Sequence, residues 1–196
     1  MKNETCYSCG SIATTRDHIP PKSFFEKPLP DNLITVSACK NCNTGFSRDE
    51  EWFRNQILAM SFSDRGRRLW TTRVRKALSR KPAMKFEMRS NIIKRSDGLS
   101  EIKFSQQRTN PIIQKIIQGL FYHHFKQMMS KNLQWDIYFN PKDNLLEKYS
   151  RFAKFFSIQE DAFRYAFVTA DENSNYSLWW LLFHNNALFI VGVTEL

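Results

Sequence analysis

A chain of 196 residues that is 42% hydrophobic and 14% aromatic is long enough to bury a core and too apolar to remain disordered. No apolar run reaches membrane-spanning length, and the N-terminal MKNETCYSCG lacks the apolar stretch of a secretory leader, which places the protein in the cytoplasm. The net charge of +10 is uneven: residues 50–108 carry fifteen basic and six acidic side chains, whereas residues 1–49 and 109–196 are nearly balanced. A field concentrated in this way suits a polyanionic partner better than a merely soluble surface does.

The chain opens on a turn through Cys6 and Cys9 that ends at Gly10. Arg16 to Ile19 reads as a short strand stopped by Pro20-Pro21, since proline cannot donate to a ladder. A loop from Lys22 to Leu33 leads to a second β-type run, Leu33 to Val36, and Cys39 to Asn43 turns the chain into a helix. Ser47-Arg48-Asp49-Glu50 fits a capping box, with Ser47 as N-cap and Glu50 three residues on. That reading is preferred to one in which Asp49, Glu50 or Glu51 ligates a metal. The helix is expected to run to about Ser61 and to be broken by Asp64-Arg65-Gly66.

A second helix is expected from Arg67 to Ser79, with Leu69, Trp70, Val74, Ala77 and Leu78 as its apolar stripe. Its polar surface is densely basic. Trp70 could stack a base, but an aromatic on such a stripe reads first as core. From Ala83 the period becomes two: Met84, Phe86 and Met88 alternate with charged residues. Ile102 and Phe104 alternate in the same way beyond Ser96-Asp97-Gly98, which suggests a hairpin with an Asp-Gly turn. Thr109-Asn110-Pro111 opens a helix reaching about Met129. His123 and His124 lie within it, and as neighbours they point apart, one toward the interior and one toward solvent. Strands follow at Trp135–Phe139, Phe163–Thr169, Tyr176–Phe183 and Leu188–Val193, with turns at Asp171–Asn175 and Asn185-Asn186. Residues 142–156 read as loop and short helix, and His184 has no evident partner. The fold class is therefore α+β, divided into residues 1–62 and an α+β C-terminal region, 63–196, of unknown role.

The chemistry is concentrated near the start. Two Cys-x-x-Cys pairs, Cys6/Cys9 and Cys39/Cys42, use every cysteine in the chain. Each spacing points two thiolates at one tetrahedral ion, so the set reads as a structural Zn²⁺ site rather than as disulfides. Twenty-nine residues separate the pairs (10–38), a gap longer than paired zinc knuckles use. Within it lie Asp17-His18-Ile19-Pro20-Pro21 and Asn32-Leu33, and Asn43 follows the last cysteine.

In that order, these segments resemble the HNH endonuclease family, whose core is a ββα-metal finger. The resemblance covers about the first quarter of the chain. It implies a metal-dependent endonuclease hydrolysing DNA phosphodiesters to 5′-phosphate products, with His18 as general base. Asp17 and Asn43 match the positions that hold a catalytic divalent ion, Mg²⁺ for hard donors of this kind. Asn32 matches the asparagine that braces the loop and orients the base. The last position is often histidine in the family and is Asn43 here. His18 could instead be a zinc ligand, but four cysteines already complete that shell.

The expected partner is nucleic acid, double-stranded DNA first, touched by Lys22, Arg65, Arg67, Arg68, Arg73, Arg75 and Lys76. The C-terminal region could form a homodimer or meet a regulatory protein. Restriction or anti-phage defence fits by association. The alternative is a zinc-finger module that grips nucleic acid without cutting it.

Overall fold

The computed structural model describes residues 4–94, 96, 100–142, 145–171 and 175–196. It is a mixed α+β fold built from three antiparallel sheets. Strand β1 (Thr15–Ile19) pairs with β2 (Ile34–Ala38), opposing Asp17 to Val36 and His18 to Thr35. The connecting loop holds a 3₁₀ turn, Lys22–Phe24. Helix α1 (Lys40–Thr44) follows at once, then α2 (Ser47–Ala59).

The next helical stretch starts earlier than the sequence suggested. Helix α3 (Asp64–Leu69) passes through a π turn (Trp70–Val74) into α4 (Arg75–Ser79). Asp64-Arg65-Gly66 does not break a helix but begins one, because the Ser63 hydroxyl accepts the Gly66 N–H at 3.0 Å. Gly66 is there for space: a Cβ would lie 2.0 Å from Ser61 Oγ.

The period-two reading of 83–89 is corrected to a helix, α5 (Pro82–Ser90). Pro82 is preset for a first helical turn, and the methionines, lysine and glutamate that follow are good helix formers. Met84 and Met88 stand four apart on the inward face, while Phe86 is 75% exposed. A small hairpin, β3 (Ile92–Lys94) and β4 (Ser100–Ile102), comes next. The expected Asp97-Gly98 turn lies outside the described residues.

Helix α6 (Gln106–Phe125) starts one turn before Thr109 and ends at Lys126, whose φ of 58° closes it. Pro111 lies inside the helix, in its second turn, where it removes one backbone donor. His123 and His124 are both half-buried, rather than one in and one out. The C-terminal region forms a five-stranded sheet in the order β5-β9-β8-β7-β6. Its strands are β5 (Leu133–Phe139), β6 (Lys154–Ile158), β7 (Phe163–Thr169), β8 (Ser177–Phe183) and β9 (Ala187–Glu195). A short helix, α7 (Leu145–Tyr149), precedes β6. Strand β6 is an edge strand with little burial, so its sequence carries no clear alternation. Of the expected turn at Asp171–Asn175, residues 172–174 are outside the described set. No helix among the described residues is long and apolar enough to cross a membrane.

One core serves both halves of the chain. Phe24 meets Phe183 at 5.4 Å between ring centres, and Phe53 meets Phe189 at 5.7 Å. Helix α6 lies against β1 so closely that a Cβ on Gly119 would be 2.5 Å from Ile19 Cγ1. The floor of the β1–β2 hairpin is thus a helix about a hundred residues away in sequence.

Candidate metal centre and the adjoining histidine

The four cysteines converge. Their sulfurs all lie within 4.8 Å of one another, and Cys9 Sγ is 3.7 Å from Cys39 Sγ. Four thiolates at about 2.3 Å from a tetrahedral Zn²⁺ would be about 3.8 Å apart, so the set fits such an ion. Local structure explains the convergence. The first pair sits in a turn closed by Gly10 N–H to Cys6 O at 3.0 Å, with Gly10 at φ +76°. Tyr7 N–H donates to Ser37 O at 2.9 Å, tying that turn to β2. Cys39 is the N-cap of α1, its sulfur accepting Cys42 N–H at 3.4 Å. Hydrogen bonds from Ser11 hold the exposed Cys9 thiol down at about 6, whereas burial and the neighbouring thiols push Cys42 up. Among the described residues this is the only group of three or more His, Cys, Asp or Glu side chains placed to hold a metal.

Successive residues of a strand face opposite ways, and that separates Asp17 from His18. Asp17 is buried at 5% exposure. Its carboxylate accepts the Tyr7 hydroxyl at 3.1 Å and pairs with Lys115 Nζ at 2.9 Å. Lys115, itself 4% exposed, also pairs with Glu50. Burial and the Asp17 charge hold the Tyr7 phenol protonated far above its usual range. Burial likewise raises Glu50, against the opposing pull of Lys115.

The expected capping box is therefore not formed. Phe46 is the N-cap of α2, the Ser47 hydroxyl donates to Thr44 O at 2.7 Å, and Glu50 faces Lys115. Asp49 and Glu51 also go to ion pairs, with Arg108 at 2.7 Å and Arg54 at 3.9 Å. Asp17 does not fit the divalent-ion role suggested by its motif, because an ammonium already neutralises its buried carboxylate.

His18 is half-buried and has no hydrogen-bond partner among the described residues. Partial burial and then Lys22 hold its pKa below the usual value, with Asp17 opposing. Asn43 donates to Thr15 Oγ1 at 3.0 Å and to Arg16 O at 3.2 Å, fastening α1 to β1. Asn32 donates to Ser157 O at 2.9 Å, so it braces the loop against β6 and not against the hairpin. Lys22 is exposed as the first residue of the 3₁₀ turn.

Of the remaining expected phosphate contacts, four have partners within the chain. Arg65 pairs with Asp161 at 2.9 Å, Arg68 grips Glu26 through two bonds of 2.9 Å, Arg67 pairs with Asp64, and Arg73 donates to Ser23 O at 2.9 Å. Arg75 and Lys76 are exposed and carry no ion pair among the described residues. Sequence reasoning missed Lys115. The available signal was a lone lysine inside the apolar run Ile112–Leu120, where a charge is rarely left without a partner. It also missed the partner of His184, which is fully buried with Nε2 at 3.2 Å from Phe24 O.

Comparison with family models, curated proteins and solved structures found no match for this chain.

Proposed function

We propose that the protein is a phosphodiester hydrolase of nucleic acid, of the HNH kind, in which a zinc-held hairpin presents His18 as general base. The observation that carries this reading is the state of His18. It is half-buried and so still accessible, it has no hydrogen-bond partner among the described residues, and burial and then Lys22 hold its pKa below the usual value, which favours the neutral imidazole. A neutral imidazole can take the proton of a water attacking phosphorus. The ester P–O bond then breaks, the leaving oxygen is protonated by solvent, and a 5′-phosphate product remains, as the resemblance implies. Lys22 stands beside His18 as a cation for the phosphate, and Arg75 and Lys76 offer further contacts to the backbone. A divalent ion would neutralise charge on the phosphoryl group, but Asp17 is bound to Lys115 and does not offer it a free carboxylate.

That same ion pair favours a second reading, a zinc-stapled module that binds nucleic acid without cutting it. One experiment separates them. Plasmid is incubated with wild type and with His18→Ala, both zinc-loaded, across a series of divalent ions. Catalysis predicts cleavage by wild type and a rate about 10²–10⁴-fold lower for the variant, with zinc content and DNA affinity unchanged. Equal rates would move the base elsewhere. Binding without cleavage under every condition would favour the module.

A further inference from the structure

A large cavity lies away from the hairpin. It encloses about 1110 Å³ between the end of α2, the π turn, α5 and the β3–β4 hairpin. That is at or slightly above the roughly 300–1,000 Å³ of most small-ligand sites. Its wall joins three kinds of chemistry. Trp70 lines it while leaning on the cluster of Leu58, Leu69, Val74, Leu78 and Met88. Arg75, Lys85 and Arg89 line it without an ion pair among the described residues, against one carboxylate, Glu101. Gln56 lines it from α2, fully buried, and neither its amide oxygen nor its amide nitrogen has a hydrogen-bond partner.

The last observation decides what belongs there. A buried amide with both ends unpaired is rare, because each end carries a desolvation penalty. A ligand that restores both bonds must offer a donor and an acceptor side by side. The base edges of nucleic acid do this, and a glutamine reads such an edge with two bonds. A flat base also suits an indole face, and its phosphate suits three unpaired cations. An apolar ligand would leave the cations and the amide without partners, and an inorganic anion would leave the indole and most of the volume without contacts.

We infer that this cavity binds a single unstacked nucleotide of a nucleic acid, its base against Trp70 and Gln56 and its phosphate on Arg75, Lys85 and Arg89. The source of the nucleotide rests on the function proposed above. The helix carrying Gln56 also carries Glu50, about 9 Å away along the axis at 1.5 Å per residue. Cavity and hairpin are therefore linked through one rigid element. Extruding a base is least costly where it is mismatched or already single-stranded, so occupancy should depend on how weakly a base is held in its helix.

The test uses the full-length zinc protein carrying His18→Ala, so that no substrate is consumed. Titration calorimetry compares dAMP, dCMP, dGMP, dTMP and inorganic phosphate. At least one nucleotide should bind tenfold or more tightly than phosphate. Gln56→Met should compress the differences among the four nucleotides while its melting temperature stays equal or rises, which rules out misfolding as the cause. Arg89→Gln should weaken all four alike. A duplex with one mismatch should bind more tightly than its matched form, and the preferred mononucleotide should compete with it.

Phosphate binding as tightly as nucleotides would overturn the inference, as would an unchanged nucleotide ranking in Gln56→Met. Mononucleotides that bind while matched and mismatched duplexes bind equally would overturn the extruded-base part. Nucleotide binding alongside a wild type that never cleaves DNA would sink the hydrolase and leave the cavity standing. Cleavage without nucleotide binding would do the reverse.

Discussion

Replacing Lys115 by methionine keeps the length of the side chain and removes its charge. The perturbation leaves two carboxylates, Asp17 and Glu50, facing each other in the interior. At 2.9 Å from Asp17, the lysine's attraction is about 6 kcal/mol at an effective dielectric near 20. Much of that is offset by burying the ammonium, and breaking one side of a buried pair typically costs about 3–5 kcal/mol. We expect a loss in that range at pH 7, read by urea denaturation followed by circular dichroism with zinc in excess. The loss should also depend on pH in a defined direction. Burial already raises Glu50 in the folded protein and Lys115 opposes the rise, so the variant's Glu50 holds its proton more tightly still. A carboxyl raised on folding favours the folded state at low pH and disfavours it as pH climbs above the unfolded value of about 4.3. The deficit should therefore shrink toward pH 4.5 and grow toward pH 8. A loss below about 1 kcal/mol, equal at both ends of that range, would show that the three charges do not act as a unit.

Other expectations follow from the same geometry. Cys39→Ser should lose stoichiometric zinc by elemental analysis and much of the order of the β1–β2 hairpin; full zinc occupancy with an unchanged spectrum would contradict the four-thiolate site. Neutralising Arg75 and Lys76 together should reduce the slope of log K against log salt by about two if each contacts one phosphate, whereas Arg68→Gln should leave the slope unchanged because Glu26 already holds that guanidinium. His184 is held at about 4, chiefly by burial, so the unfolded chain binds the extra proton between about pH 4 and 6.5 and stability rises with pH across that window. His184→Asn, which tolerates the local φ of 48°, should remove on the order of 3 kcal/mol of that rise; identical pH profiles for variant and wild type would refute it.

The parts of this molecule written in local spacing were legible in the sequence. The two Cys-x-x-Cys pairs predict a cluster because each pair is its own turn, and the sulfurs do converge. The apolar runs of β7, β8 and β9 needed no partner to be seen. What was not legible depends on contacts across the chain. The alternation of Met84, Phe86 and Met88 fits a strand or a helix with one exposed aromatic; Pro82 and the helix formers after it favour the helix, and burial of Met88 and Met84 against the neighbouring helices completes the choice. Ser47 and Glu50 have the spacing of a cap, but a lysine sixty-five residues later claims the glutamate. The basic stretch over residues 50–108 is real as a charge count, yet two of its five named arginines, Arg65 and Arg68, meet acids that lie elsewhere in the chain. The motif Asp17-His18 is local and was read at once, and strand alternation sends its two side chains to opposite faces; that the buried face meets Lys115 is a consequence of α6.

The closeness of Ile19 to Gly119 also has a meaning in time. Ribosomes add roughly 5–20 residues per second, so the hairpin emerges on the order of 10 s before the helix that forms its floor. During that interval Phe24 and Phe53 have each other, at 5.8 Å between ring centres, but not Phe183 or Phe189, and Ile19 lacks Gly119, so the backbone beside His18 lacks the support that fixes it in the finished chain. A stalled or truncated product ending before residue 106 should be cut by protease around these residues; resistance there would argue against the dependence. The order of the backbone beside His18 is thus a property of the longer chain, reached only once α6 has been made and laid against Ile19.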